Sequence, residues 1–216
     1  DRDHVVAVYV HVPEEESPWS PGAATRWWLH HSLTALAASL RRKGVALTLR
    51  RGPTLPALIA LARAAGASRV VWNRLYDPAT VARDTAVKAG LRDLGFECES
   101  YNAALLHEPW EIRTGQGGPY RVFTPFWRAC QMRLDEQPAP LAAPRLLRGP
   151  SQRLDGLALD KLDLLPTIPW AAAFSKLWSP GEDGAHRRLG EFCGEWLGRY
   201  EEGRNRPDLP ASSRLS

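Results

Sequence analysis

Three loops carry the side chains best suited to hold a ligand. They follow apolar runs that end at Val10, Trp72 and Tyr101. In an open α/β sheet, ligands bind at the carboxyl ends of the strands, so these loops are where a binding site is expected. Arg26 would lie at the mouth of such a sheet and could pair with an anionic ligand tail. The loops lead to Arg26 and Trp27, to residues 73–77, and to residues 108–110.

Motifs for other chemistries are missing from the sequence. It contains no GxGxxG or GxxxxGK[ST] arrangement, so a dinucleotide or P-loop phosphate site is disfavoured. It has no GxSxG elbow to anchor a Ser-His-Asp hydrolase. None of the six histidines, including the adjacent His30 and His31, has the spacing of a metal ligand set. We therefore predict a ligand-binding protein and assign no catalytic or metal-ligating residue.

Alternating strands and helices would position these loops. Continuous or alternating apolar runs predict strands at 5–10, 45–49, 70–72 and 96–101, and amphipathic spacing predicts a helix after each of the first three. Asp77 followed by Pro78 is typical of a helix start, with the aspartate as cap. The pattern predicts an α/β fold with a doubly wound, mostly parallel sheet.

The composition changes near residue 134. Prolines between 138 and 150 cannot continue a helix or a central strand. Farther on, apolar residues from Ala185 to Tyr200 fall on one helical face. We predict an α/β domain over 1–133, an interdomain linker over 134–168 and the start of a helical domain over 169–216.

Bulk properties are those of a globular protein: 216 residues, 44% hydrophobic and 24% charged. The net charge of +4 is only a slight basic excess. Neither a membrane span nor a signal peptide is present, which predicts a cytoplasmic protein. The three cysteines fit no disulfide framework and are expected to be buried. Of the neighbours Trp27 and Trp28, we expect the first in the core and the second at an interface.

Separated strings of the sequence resemble the DNA photolyase/cryptochrome family and follow that family's order. The most specific is PYRVFTPFW at 119–127. The others are PGAATRWWL at 21–29, WNRLYDP at 72–78 with ARD at 82–84, WSPGEDGA at 178–185, residues 200–208, and ASSRLS at 211–216. The resemblance implies a chain truncated at both ends, without the family's first strand and most of its helical flavin domain.

The resemblance also implies which residues hold cofactors. The family's flavin-phosphate motif, GTSRLS, follows a tyrosine by a fixed interval, and here Tyr200 stands twelve residues before Ser212. FAD contacts are expected at Tyr200, Ser212, Ser213 and Ser216, because hydroxyls can donate hydrogen bonds to phosphate oxygens. Serine replaces the usual threonine at 212 and keeps the hydroxyl. Ala211 replaces the usual glycine and is expected to ask more of the local backbone.

A second pigment is implied on the amino-terminal side. The family's α/β domain holds an antenna chromophore, a folate, a deazaflavin or a flavin, that passes excitation energy to FAD. Arg26, Asn73, Tyr76 and Asp77 occupy the matching antenna-side positions.

As a whole, the resemblance implies a monomeric deoxyribodipyrimidine photolyase with no membrane partner. Light-excited reduced FAD would donate an electron to a pyrimidine dimer that is flipped out of DNA. The piece in hand is expected to be inactive alone. A cryptochrome-like photoreceptor remains an alternative. A stand-alone ligand-binding module is a weaker one, because such a module has no reason to carry residues 200–216.

Overall fold

The computed structural model describes residues 4–16, 20–136 and 139–213. Two compact units are formed by the described parts of the chain. The first combines residues 1–57 with 146–216, and the second comprises residues 58–145. Ser216, a predicted flavin contact, lies outside the described residues.

Strands and helices alternate over the first half of the chain, and helices and turns follow. The strands are β1 (Ala7–His11), β2 (Leu47–Arg51), β3 (Arg69–Asn73) and β4 (Glu97–Tyr101). The α-helices are α1 (Ala23–Arg42), α2 (Thr54–Ala65), α3 (Pro78–Asp93), α4 (Phe123–Gln131), α5 (Phe174–Leu177), α6 (Glu182–Glu191) and α7 (Tyr200–Gly203). Among the described residues, no helix is both long and apolar enough to span a membrane.

In the first unit, β1 and β2 pair in parallel, with Ala7 opposite Leu47. Leu33 of α1 and Leu49 of β2 form the core together with Leu162 and Leu164. The last two residues come from the segment predicted to be a linker. This segment also hydrogen-bonds to the β2 region, for example through a 2.9 Å bond from the amide of residue 157 to the carbonyl of Leu49.

In the second unit, β3 and β4 pair in parallel, with Trp72 opposite Ser100. Their side chains alternate between two faces, as in any strand. Helix α3 buries Val87 and Leu91, and Cys98 of β4 is buried as well. Val71, on the other face of β3, is 54% exposed. The face that carries Trp72 and Ser100 is the one that lines a pocket.

The predicted α/β architecture with parallel strands is confirmed, and the predicted strands fall within a few residues of the observed ones. The helix predicted from Ala185 to Tyr200 is less regular than expected. It passes from α6 through a π-helical turn at Phe192–Trp196 and a 3-10 turn at Leu197–Arg199 into α7. Gly194 and Gly198 lie in these turns, and glycine favours the α-helix poorly.

Two smaller predictions have clear outcomes. Trp27 is 5% exposed and Trp28 is 41% exposed, as expected for neighbours on one helix. Cys98 and Cys130 are buried, but the prediction is wrong for Cys193, which is exposed. Cys193 lies in the π-helical turn, where the single apolar face assumed for a regular helix is interrupted.

Candidate functional site

A pocket opens within the second unit beside the carboxyl ends of β3 and β4. Its cavity is about 180 Å³. Helix α3 contributes residues at 81, 84, 85 and 88, a spacing that brings side chains onto one helical face. The strands and the loops that follow them provide the aromatic side chains and Arg74, while the second basic side chain, Lys88, comes from α3. The wall is formed by Trp72, Arg74, Leu75, Tyr76, Val81, Asp84, Thr85, Lys88, Ser100 and Trp110.

Trp72 is fixed in this pocket by helix α3. Its indole N–H donates a 3.1 Å hydrogen bond to Oδ2 of Asp84, while Arg83 forms an ion pair with the other carboxylate oxygen at 2.8 Å. The Lys88 ammonium lies 5.8 Å from the centre of the Trp72 ring and donates a 3.3 Å bond to the Ser100 hydroxyl. A cation over an indole face is an attractive arrangement. The pocket therefore contains an oriented aromatic wall beside a positive charge.

A buried carboxylate organises the other side of the pocket. Glu108 is 5% exposed, and its Oε1 accepts hydrogen bonds from Nε and Nη2 of Arg74 at 2.9 and 2.5 Å. Its Oε2 accepts a 2.9 Å bond from the Tyr76 hydroxyl. Burial, and then the Glu108 carboxylate, raise the pKa of Tyr76. Tyr76 thus remains a neutral hydrogen-bond donor.

The Arg74 guanidinium connects this network to a second aromatic ring. Burial by itself would lower the pKa of Arg74, but its hydrogen bonds to Glu108 and Tyr76 outweigh burial and raise it. Its central carbon lies 5.6 Å from the centre of the Trp110 ring. Trp110 is half exposed, so the pocket is open on that side. Indole faces with nearby cations suit a planar ring that carries negative charge.

The volume limits what the pocket can enclose. Pockets that bury most of a drug-sized ligand measure about 300–1,000 Å³. At about 180 Å³, this cavity can take one ring system, while a longer tail would extend through the open side. The arrangement can bind and orient a planar ring.

Three of the four predicted antenna residues lie in this unit. Tyr76 lines the pocket, whereas Asn73 and Asp77 are exposed and are not part of its wall. Asp77 stands at the amino-terminal cap position of α3, but its carboxylate makes no capping hydrogen bond there. The capping prediction is wrong in this respect. The Thr80 hydroxyl donates a 3.0 Å hydrogen bond to the main-chain carbonyl of Asp77.

Arg26, the fourth predicted antenna residue, lies in the first unit. It is exposed in the first turn of α1, and its charge helps lower the pKa of His11 at the end of β1. Burial is the largest cause of that lowering, followed by the charge of Arg51. His11 is only 5% exposed, and its ring stacks on Tyr9. Glu16 and Glu14 act in the opposite direction, but burial and the arginine charges outweigh them, so the pKa of this buried imidazole is lowered.

The predicted flavin-phosphate loop also lies in the first unit. Its backbone is held by Arg188 of α6, whose Nη2 donates to the carbonyls of Pro210 and Ser212 at 3.0 and 2.7 Å. Nε of Arg188 donates to the carbonyl of Ser213 at 3.2 Å. Ser212 is exposed and Ser213 is half-buried.

Helix α7, which begins at Tyr200, packs directly against this loop. Ala211 is 1% exposed, and a Cβ built on Gly203 would lie 2.4 Å from the Cβ of Ala211. Among the described residues, the non-glycine residue with positive φ is Asp163, not Ala211. The expectation that alanine would strain the backbone at position 211 is therefore wrong. The absent side chain of Gly203 provides the room for the alanine methyl. Helix α7, which carries Tyr200, and the loop that carries Ser212 are therefore in contact.

The sequence analysis missed several residues that form the pocket and hold the flavin-phosphate loop. Arg74 and Asp84 lie inside the strings quoted for the family, and Glu108 lies in a loop expected to bind ligand, yet none was assigned a role. Arg74 and Glu108 are partners that lie 34 residues apart in the sequence, so no local pattern links them. Arg188 had no sequence signal that pointed to this role.

These features are those of an α/β protein with an aromatic and basic pocket beside its parallel strands. The chain belongs to the DNA photolyase family, which its residues 1–145 match. It is 46% identical over 98% of its length to a deoxyribodipyrimidine photo-lyase of Agrobacterium fabrum. It is 36% identical over 91% of its length to cryptochrome-2 of Arabidopsis thaliana.

A solved structure supports the same conclusion. The chain superimposes on the crystal structure of a bacterial class III photolyase from Agrobacterium tumefaciens with a TM-score of 0.88, at 44% identity over 99% of its residues. The chain spans 44% of the Agrobacterium fabrum photo-lyase and 33% of the Arabidopsis cryptochrome. It also spans 44% of the crystallised protein.

Proposed function

We propose that this chain is the antenna-side portion of a deoxyribodipyrimidine photolyase, an enzyme that repairs pyrimidine dimers in DNA with light. The observation that carries the proposal is the 46% identity to the Agrobacterium fabrum photo-lyase across 98% of the chain. That identity extends over both the strand-end pocket and the Arg188 loop. A ligand-binding module without a flavin domain would not need the Arg188 loop.

The residues of the loop fit the phosphates of FAD. Ser212 and Ser213 provide hydroxyl donors, and their own carbonyls are already occupied by Arg188. Tyr200, 42% exposed, stands on the helix that packs against the loop. We assign Tyr200, Ser212, Ser213 and Ser216 as FAD contacts in the intact protein. When bound, FAD supplies the light-driven electron that splits the dimer.

The residues of the second unit fit an antenna pigment. Folates, deazaflavins and flavins share a planar heteroaromatic ring and an acidic tail, and the pocket offers indole faces with nearby cations. We assign Tyr76 as a ring contact within the pocket. Asn73 and Asp77 are assigned as exposed contacts for the rest of the pigment, while the role of Arg26, in the first unit, stays a prediction from the family resemblance. The three pigment classes meet the same requirements and are separated by the absorption spectrum.

The domain organisation proposed for the intact protein follows the sequence. Residues 1–133 form the antenna domain, 134–168 the linker and 169–216 the beginning of the flavin domain. We further propose a monomer that acts on DNA in the cytoplasm of a bacterial cell.

The decisive experiment uses the full-length protein that carries this chain. Its absorption and excitation spectra are recorded as purified, and repair of dimer-containing oligonucleotides is followed under blue light. We expect FAD bands, a separate antenna band that drives flavin emission, and light-dependent repair. A protein with no flavin would refute the proposal.

The antenna assignment is tested by Trp110→Ala, which removes one wall of the pocket. We expect loss of the antenna band with the FAD bands unchanged. Phe123→Ala is the matched control, because Phe123 is 71% exposed in the same unit and its ring stacks on Trp127 rather than lining the pocket. An antenna band that persists in Trp110→Ala and disappears in the control would place the pigment elsewhere.

A cryptochrome-like photoreceptor is the second candidate, favoured by the 36% identity to cryptochrome-2. The same repair assay separates the two functions. A flavin-containing protein that shows light-induced spectral changes but leaves dimers intact would be the photoreceptor.

A further inference from the structure

Arg188 makes an unusual set of contacts for a helix residue. Three of its hydrogen bonds end on backbone carbonyls of one short loop, at residues 210, 212 and 213, with distances of 3.0, 2.7 and 3.2 Å. Its remaining terminal nitrogen donates a 3.2 Å bond to Glu191, one turn farther along the helix. The Arg188 side chain is 24% exposed. Four of the five N–H donors of the guanidinium are therefore used, three of them for the loop.

These contacts control which groups of the loop can face an anion. Carbonyl oxygens repel phosphate, whereas hydroxyl groups attract it. The carbonyls of residues 210, 212 and 213 are directed to the guanidinium, so these repelling oxygens are not turned toward an anion. Only arginine has the planar fork that reaches several acceptors at once, since a lysine ammonium is a single point.

The packing of α7 fixes the same loop from a second side. Ala211 is buried where the chain approaches Gly203, so the loop cannot slide along the helix without a clash. Arg188 holds the residues on both sides of Ala211. The loop is thus preorganised by the protein before any ligand arrives, which reduces the entropy lost on binding.

We propose that Arg188 is a positioning residue for the flavin phosphates: it acts through the backbone of residues 210–213 and does not contact FAD itself. This inference rests on the proposed function, because it takes the loop as the phosphate site. It adds a residue outside the ASSRLS motif to the machinery that holds the cofactor.

The test compares Arg188→Ala, Arg188→Lys and Arg187→Ala in the full-length protein. Arg187 is an exposed neighbour on the same helix, so its removal changes the net charge equally and leaves the loop contacts in place. Two quantities are measured: the Kd for FAD added to the apoprotein, and amide hydrogen exchange of the loop without FAD. Thermal unfolding of each variant verifies that it is folded.

We expect Arg188→Ala to bind FAD about tenfold more weakly, the effect of losing one good hydrogen bond to a charged group. Its loop amides should exchange faster. Arg188→Lys should fall between this variant and the wild type, and Arg187→Ala should match the wild type. Equal FAD affinity and equal exchange in Arg188→Ala would overturn the inference, as would equal weakening by Arg187→Ala.

Failure of the inference and failure of the proposed function have different signatures. A wild-type protein that takes up no FAD refutes the function. In that case the exchange comparison still decides the role of Arg188, because unchanged exchange in Arg188→Ala means that the arginine does not position the loop.

Discussion

Gly203→Ala tests the contact between α7 and the flavin-phosphate loop. Glycine to alanine normally stabilises a helix by up to about 1 kcal/mol. Here the new methyl would lie 2.4 Å from the Cβ of Ala211, which is not the end of a flexible side chain and cannot rotate away. Overpacking of this kind costs about 1–3 kcal/mol. The clash outweighs the gain, so we expect the free energy of unfolding to fall by about 1 kcal/mol.

Gly190→Ala is the matched control. Gly190 lies within α6, and a Cβ built there meets nothing within 4 Å. This variant should be more stable than the wild type by up to about 1 kcal/mol. The difference between the two variants isolates the clash, because both substitutions change helix propensity in the same direction.

The assay is urea unfolding followed by far-ultraviolet circular dichroism, extended to a double-mutant cycle with Ala211→Gly. The double variant exchanges which of the two residues carries the methyl, so Gly203→Ala should no longer destabilise in that background. The expected coupling is about 1–3 kcal/mol. Additive effects, or a Gly203→Ala variant as stable as Gly190→Ala, would show that α7 does not pack against the loop as described.

Three further perturbations have defined outcomes. Glu108→Gln weakens the buried network and should cost about 1–3 kcal/mol in urea unfolding; it also removes a charge that raises the pKa of Tyr76, so the phenol should titrate at lower pH by near-ultraviolet absorbance. Burial, then Arg51, lower the pKa of His11 below its ordinary 6.5, so the folded state prefers the neutral ring. The unfolding free energy should therefore fall as the pH drops through about 6.5, and His11→Gln should flatten this dependence. Gly44 has a φ of 93°, and a Cβ there would lie 2.8 Å from a backbone carbonyl oxygen. Gly44→Ala should cost about 2 kcal/mol or more, measured in the same way.

The parts of the fold that sequence predicts well are those encoded locally. The apolar run at β1 and the alternation at β2 identify strands without knowledge of their partners. Helix ends are equally local, because Gly44, Gly66 and Gly95 end helices at positive φ, which glycine adopts without strain. The π-helical turn was missed because two glycines in an otherwise helical pattern weaken the helix without breaking it.

The candidate site is less predictable, because its residues meet over long sequence distances. Glu108 becomes a buried acceptor only when the chain after β4 returns to β3, and no local pattern marks that contact. The resemblance to the family identified the segment 73–77 but could not decide which of its side chains enter the pocket. Trp72 and Asn73 are neighbours in β3 and point to opposite faces, so Trp72 lines the wall while Asn73 does not; beyond the strand, the loop conformation brings Tyr76 into the wall.

The substitution at Ala211 shows how structure changes the reading of a motif. By sequence, an alanine in place of the family's glycine looks like a weakened phosphate loop. In the folded chain the alanine methyl is buried against Gly203, and Arg188 holds the carbonyls on either side. A glycine eight residues upstream and an arginine more than twenty residues upstream thus compensate for the change. The conformation of the loop depends on contacts with the α6–α7 segment as well as on its own residues. A motif comparison restricted to residues 211–216 would therefore underestimate its similarity to the family's phosphate loop.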